Sequence, residues 1–416
     1  MKSKFRKITS CRLCQSKDLN SFVDFGCVPL GNNLEPNLDS SSTADEFPLE
    51  VVRCKKCSHF QLSCAVNPKL LYARNYTYLS GIGKSFLKHM EKYVNWIEKK
   101  CNLIEGNFII DIGSNDGSCL EVFKKKKYKV LGVDPAVLPA KIALKKDIPT
   151  INKFFDKYVA AEICEEHGFV DVITSQNVLA HVDNLKDTFI NIFKILKEGG
   201  FLVFEIGYFK NVLETGCFDT IYHEHLDYHH ANSIVSHLNE IGFSVIELET
   251  NDIQGGTLRI LAKKSGETKQ SSDVVKFLNN ERKSVLYNDI FLKNWEKVIY
   301  RDAKEINKLL SLEHNNNRLC FAYGAPTKAV LLLKISKLNS DHLDFIADDN
   351  VLKTNKYIPR LNIPIVSTSN IDFNRPATIL LLAWNFSEDI IANLKLEYKV
   401  PVKIIIPLPQ LRIINI

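Results

Sequence analysis

Between residues 108 and about 265, apolar strands at 108–112, 129–133, 171–175 and 201–206 alternate with helical stretches such as 156–166 and 184–198. Strands that are apolar on both faces need a cover on both faces. Helices between them supply it, so this rhythm predicts a doubly wound parallel α/β sheet. Gly199-Gly200 reads as the stop after the second helix. Strands at 243–250 and 257–263, with Gly255-Gly256 between them, predict an antiparallel hairpin at the sheet edge. An amphipathic helix from Ser85 to Lys100 leads in, with Phe86, Leu87, Met90, Tyr93, Val94 and Ile97 at helical spacing. Residues 272–313 are helical and charged, and a break follows at Asn315-Asn316-Asn317. A second α/β pattern then begins, with strands at 318–323, 343–347 and 377–383 and a helix at 326–337. It predicts a second, smaller Rossmann-like domain.

A chain of 416 residues exceeds what one core holds. With 45% hydrophobic and 25% charged residues it has the composition of a soluble globular protein. The net charge of +6 is too mild to suggest nucleic acid as a partner, and Lys124 to Lys127 read as a solvated helix end. No apolar run reaches the roughly 18 residues of a membrane span. The basic start, Met1 to Lys7, has no apolar stretch behind it, so no signal peptide is expected. Eleven cysteines without an export signal argue for reduced thiols, metal ligation and a cytoplasmic location.

The first 70 or so residues read as loop-rich, with Gly26, Pro29, Gly31, Asn32-Asn33, Pro36 and a Ser/Thr cluster at 40–43. Such a segment needs a staple. Cys11-x2-Cys14 and Cys54-x2-Cys57 supply one, as the two knuckles of a zinc ribbon. Four thiolates close the coordination shell and leave no position for water, so the zinc is expected to be structural. Cys27, Cys64, Cys101, Cys119, Cys164, Cys217 and Cys320 read as small buried hydrophobes.

After the strand at 108–110 comes Asp111-Ile112-Gly113-Ser114-Asn115-Asp116-Gly117. Glycines there let a ligand approach the backbone, and the next helix offers exposed amides. The spacing is not that of a dinucleotide site. The second strand ends at Asp134, placed to accept the hydroxyls of an adenosine ribose. The pattern resembles class I S-adenosylmethionine methyltransferases. That resemblance implies that Asp111 and Gly113 meet the methionine end within a loop that includes Asn115 and Gly117. It puts Asp134 at the ribose and Gln176-Asn177 beside the methyl donor.

Residues 222 to 230 read Tyr-His-Glu-His-Leu-Asp-Tyr-His-His and follow a strand ending Phe-Glu-Ile-Gly at 204–207. No turn needs so much titratable chemistry. Extended, the segment would put His223 and His225 on one face, which also allows a metal. The four cysteines, Asn177 and His181, the run Tyr222 to Tyr228, Gly255 to Arg259, Tyr323-Gly324-Ala325-Pro326-Thr327-Lys328 and Leu382 to Phe386 together resemble the nucleotide-sugar C-methyltransferases. The resemblance covers nearly the full length. It implies a zinc segment over 1–75, a methyltransferase domain over 76–266 and a nucleotide-sugar-binding α/β domain over 267–416. The implied reaction is methylation at C3 of a nucleotide-linked 4-keto-6-deoxy sugar, with S-adenosylmethionine and zinc as cofactors.

The same resemblance implies His225 as the base and Glu224 as a residue orienting the sugar. It makes Tyr222 and His181 donors to the keto oxygen and lets Tyr76 reach in from the zinc segment, with Tyr78 as the alternative. A positioned histidine suits proton abstraction at neutral pH. Exposed amides with Thr327 and Lys328 suit a pyrophosphate. Three positions depart from the family: Ala329 after the lysine, Arg360 where the family has glycine after Pro359, and Asp348-Asp349-Asn350. All fall in the nucleotide-sugar domain. The alternatives are a nucleic-acid or sugar-hydroxyl methyltransferase and a non-catalytic zinc and cofactor scaffold. The chain is expected to act as a monomer.

Overall fold

The computed structural model describes residues 3–72, 79–82, 84–252, 255–266 and 270–416, so Tyr76 and Tyr78 lie outside the described residues. The alternating region forms a seven-stranded sheet. Its strands are β1 (Phe108–Ile112), β2 (Lys129–Val133), β3 (Thr150–Ile151), β4 (Val170–Gln176), β5 (Leu196–Gly207), β6 (Phe243–Asn251) and β7 (Thr257–Lys264). They lie in the order β6-β7-β5-β4-β1-β2-β3. The first five are parallel, and β7 runs antiparallel to both β5 and β6. The order reverses between β1 and β4, the place where open α/β sheets take ligands at the strands' carboxyl ends. The helix expected to end at Gly199-Gly200 ends instead at Ile195. The glycine pair lies inside β5, at a break in its pairing with β4, and Gly199 has φ +78°.

The first 70 residues are not loop-rich. Strands Leu19–Pro29, Glu46–Cys54 and Phe60–Leu62 form an antiparallel sheet that Asp227–Tyr228 completes. Val23, Phe25, Val28, Leu49, Val51, Phe60 and Leu62 are buried in one core with residues from the far end of the chain. The cover comes partly from the helix Asp289–Asn315, whose buried stripe runs Leu292, Trp295, Ile299, Ala303, Ile306 and Leu310. Trp295 stacks on Phe22 at 5.4 Å and donates to the Leu213 carbonyl.

The last third forms a second α/β sheet: β8 (Leu319–Tyr323), β9 (Phe345–Ala347), β10 (Lys356–Tyr357), β11 (Pro364–Val366), β12 (Ala377–Leu381), β13 (Val402–Ile406) and β14 (Arg412–Asn415), in the order β10-β11-β9-β8-β12-β13-β14. It too reverses, at the end of β8, and there the loop Gly324–Lys328 begins. Gly324 has φ +83°, and a Cβ on it would sit 2.5 Å from that of Ala383. Arg360 keeps the left-handed backbone that a glycine would favour, with φ +66°. Its guanidinium caps the carbonyls of Ser42 and Ala44 at the end of the helix Leu38–Thr43. This departure from the family pattern therefore joins the C-terminal sheet to the zinc segment.

Candidate active site

The cofactor loop sits at the first switch point. Asp111 is fully enclosed at the end of β1 and accepts from the Thr174 hydroxyl at 2.8 Å. Burial, with Asp134 nearby, pushes its carboxyl up to about 7. Gly113 has φ +76°, and a Cβ there would meet Val178 at 2.2 Å. The two oxygens of Asp134 accept from the amides of Asn115 and Ala136, both at 2.8 Å, so the acid is fixed at the end of β2. Asn115 and Asn177 hold positive φ of 51° and 54°, conformations that cost energy outside glycine. Ser80 and Gly81 donate their amides to Asn115 and Asp116 and seat their own short turn on this loop. Gln176 donates to the Cys119 sulfur, while its Oε1 is buried without a partner among the described residues. A rigid glycine-bearing loop, a fixed acid and an orphaned amide oxygen fit S-adenosylmethionine.

The titratable run lies beside this loop. The turn Leu179–His181 continues from β4, and the Leu226 amide donates to the Ala180 carbonyl at 2.7 Å. That contact brings the His181 and His225 rings edge to face, 4.7 Å apart. His225 Nδ1 lies 2.8 Å from the Thr220 carbonyl, which can only accept, so Nδ1 carries the proton. Nε2 is then the basic atom, and the Tyr222 hydroxyl donates to it at 2.8 Å. Burial lowers the His225 imidazole to about 4 and that of His181 to about 3, so both rings are neutral at pH 7. Glu224 is buried too. Desolvation raises its carboxyl to about 7, opposed by a 2.7 Å hydrogen bond from Asn32 Nδ2. Tyr222, His225 and His181 thus come together, while the Glu224 carboxyl beside them in the chain is held by Asn32.

The rest of the run turns away. His223 bonds the Phe47 carbonyl. His230 bonds Glu281 and the Ser58 carbonyl. Asp227 is gripped by both Arg12, at 2.9 and 3.0 Å, and His59, at 2.9 Å. His223 and His225 therefore serve different partners, and the shared-metal alternative loses its geometry.

Arg12 lies between the ligands of the first knuckle, and His59 lies just after the second. Among the described residues, Cys11, Cys14, Cys54 and Cys57 form the one group suited to a metal, with sulfurs all within 4.8 Å of one another. The Cys11–Cys57 and Cys14–Cys54 pairs are 3.5 and 3.6 Å apart. Tetrahedral zinc with Zn–S bonds of about 2.3 Å wants roughly 3.8 Å, so the set fits.

In the second sheet, the Thr327 hydroxyl donates to Asn32 Oδ1. The Lys328 ammonium sits 3.8 Å above the Trp384 ring, 2.8 Å from Asn385 Oδ1 and 3.1 Å from Asp219. The Ala325 amide, one of those expected to be exposed for a pyrophosphate, is taken by Asp348 at 2.7 Å. Sequence reasoning missed Arg12, Asn32, Asp219 and Thr220. Only Asn32 carried a signal, as a polar residue in a tight turn.

Three family models match in sequence. A "Putative zinc binding domain" covers residues 11–72, a methyltransferase domain 86–248, and a C-methyltransferase C-terminal domain 252–409. The chain is 30% identical over 411 residues to the C-methyltransferase NovU of Streptomyces niveus, covering 99% of this chain and 98% of that one. Among solved structures it is similar to the magnesium protoporphyrin IX methyltransferase of Synechocystis PCC 6803 with bound S-adenosylmethionine, at 15% identity and a TM-score of 0.34. That match covers 43% of this chain and 79% of the other. A methyltransferase of Clostridium acetobutylicum ATCC 824 is similar at 13% identity and a TM-score of 0.34, covering 43% and 92%. No described helix is long and apolar enough to cross a membrane. With its four-thiolate zinc site, its cofactor loop and its full-length match, the chain belongs to the S-adenosylmethionine-dependent C-methyltransferases.

Proposed function

We propose that the protein methylates C3 of a nucleotide-linked 4-keto-6-deoxy sugar, acting as a monomer built from a zinc segment (1–75), a methyltransferase domain (76–266) and a nucleotide-sugar domain (267–416). The observation that carries this reading is the convergence of His225, Tyr222 and His181 beside the cofactor loop, with the buried Glu224 carboxyl held next to them in the chain by Asn32. A hydrogen next to a ketone can be removed when a base takes it and the enolate oxygen is stabilised. His225 offers a neutral imidazole whose Nε2 lone pair is free of a proton, although burial makes it a weaker base than imidazole in water. When the sugar enters, the Tyr222 hydroxyl turns from Nε2 to the keto oxygen, which frees the base. Tyr222 and His181 are then the donors for that oxygen, in the manner of an oxyanion hole. Glu224 holds a sugar hydroxyl. Asp134 holds the ribose of the cofactor, and Asp111, Gly113, Gln176 and Asn177 surround its amino-acid and methyl end. S-adenosylmethionine supplies a methyl group on a sulfonium, open to attack by carbon. Thr327 and Lys328 face the diphosphate of the sugar carrier.

The test is incubation in D₂O with a panel of nucleotide-linked 4-keto-6-deoxy sugars, with and without S-adenosylmethionine, following product mass and the C3 proton signals. Deuterium wash-in without cofactor and carbon methylation with it are expected, and both should fall about 10²- to 10⁴-fold in His225→Asn. A protein that binds the cofactor yet neither exchanges nor methylates any of these sugars would refute the reading.

A further inference from the structure

Thr327 and Lys328 are neighbours, yet they reach different walls of the catalytic cluster. From Thr327 the path runs through Asn32: the threonine hydroxyl donates to Asn32 Oδ1, and Asn32 Nδ2 donates to Glu224 Oε1 at 2.7 Å. From Lys328 it runs through Asp219, whose carboxylate also accepts from Trp384 Nε1 at 2.6 Å. Asp219 precedes Thr220, and the Thr220 carbonyl holds His225 Nδ1. We propose that Asn32 and Asp219 are positioning residues through which the Gly324–Lys328 loop sets the orientation of Glu224 and His225.

Two features make these bridges more than incidental contacts. The turn Leu30–Asn33, closed by a 3.1 Å bond from the Asn33 amide to the Leu30 carbonyl, lies against the loop. A Cβ on Gly31 would sit 2.2 Å from the Thr327 carbonyl oxygen, so only glycine lets the turn seat there. With Oδ1 engaged by Thr327, the Asn32 amide has one orientation left, and it aims Nδ2–H at Glu224. Asp219 is 2% exposed, and a carboxylate so buried needs the cation that Lys328 supplies. A diphosphate seated at Lys328 draws on that same ammonium. Occupancy of the loop is thereby felt at the turn that holds the base.

The inference rests on Glu224 and His225 acting as proposed above, and the test separates the two. Full-length, zinc-loaded Asn32→Ala and Asp219→Asn are assayed with thymidine diphosphate-linked 4-keto-6-deoxyglucose beside the wild type. Each should lose roughly 10- to 100-fold in kcat, the scale of one hydrogen bond to a charged group, with little change in KM. S-adenosylmethionine affinity and zinc content should hold. In parallel, nitrogen-15 NMR of the histidine rings should show His225 protonated at Nδ1 in the wild type. Asp219→Ala and Lys328→Gln should shift its signals alike. Wild-type kcat in both variants and unmoved His225 signals would overturn the proposal. So would joint loss of rate, zinc and cofactor affinity, the mark of residues that only hold the fold. If the wild type methylates no sugar, the functional reading fails, and the NMR arm still decides the coupling.

Discussion

At the scale of single residues, burial moves the two central groups in opposite directions. Desolvation disfavours the charged form of each, so the Glu224 carboxyl rises to about 7 and the His225 imidazole falls to about 4. As pH falls from 8, Glu224 takes up a proton first and loses its charge, while His225 stays neutral and competent. With S-adenosylmethionine saturating, so that the ionisation of Asp111 at the cofactor's end does not enter, the acid limb of kcat/KM for the sugar is expected near pH 7 and belongs to Glu224. In Glu224→Gln the rate should be lower throughout, with the limb displaced towards pH 4, where His225 protonates. A limb that stays near 7 in this variant would assign it to some other group and remove the ionised Glu224 from the reaction.

At the scale of elements, the zinc knuckles and the titratable run are one assembly. The strand Asp227–Tyr228 pairs with Phe60–Leu62, and Asp227 is held by Arg12 from the first knuckle and His59 from beside the second. The Arg12 side chain is 4% exposed and that of Asp227 is fully buried. Removing one partner of such a pair leaves an uncompensated charge, which costs about 3–5 kcal/mol, whereas replacing both with apolar groups of similar size costs far less. Arg12→Ala is thus expected to lose stability on that scale, read as a lower urea midpoint at unchanged slope. The double variant Arg12→Met, Asp227→Leu should recover much of the loss. Equal losses in both would mean that the pair is not the anchor. His225 lies two residues before Asp227, so the single variant should also methylate poorly at temperatures where it remains folded.

At the scale of the whole molecule, legibility followed sequence distance and symmetry of burial. β1, β2, β4 and β5 were legible because helices cover both their faces, which leaves continuous apolar runs. The zinc-segment sheet was not. Its pairing shifts register twice between Leu19–Pro29 and Glu46–Cys54, which breaks the alternation, and its cover comes from residues some 200 to 300 positions later. The site divided in the same way. Tyr222, Glu224 and His225 are contiguous and stood out, whereas Asn32 acts on partners 192 and 295 residues away. Folding has also gathered more neutral histidines than a local reading can weigh. Burial holds His223, His225 and His237 near 4 and His181 and His229 near 3, against about 6.5 in an unfolded chain. Each contributes stability that is complete above pH 6.5 and is lost as pH falls towards 4, because the unfolded chain binds the proton first. Asp111 and Glu224, raised to about 7, act in the opposite sense over an overlapping range, and Asp134, Glu249 and Glu296 are raised by less. His59, however, is lowered too and makes the histidines six. The melting temperature is therefore expected to fall between pH 7 and pH 5, measured by circular dichroism with zinc content followed alongside. His237 lies apart from the catalytic pair and packs on Phe189, with Glu240 3.8 Å from Nδ1 and with both ring nitrogens buried and without a hydrogen bond among the described residues. Replacing it with leucine should flatten the fall while the zinc content stays unchanged. An acid loss that tracks zinc release alone, with the same slope in His237→Leu, would assign the lability to the thiolates instead.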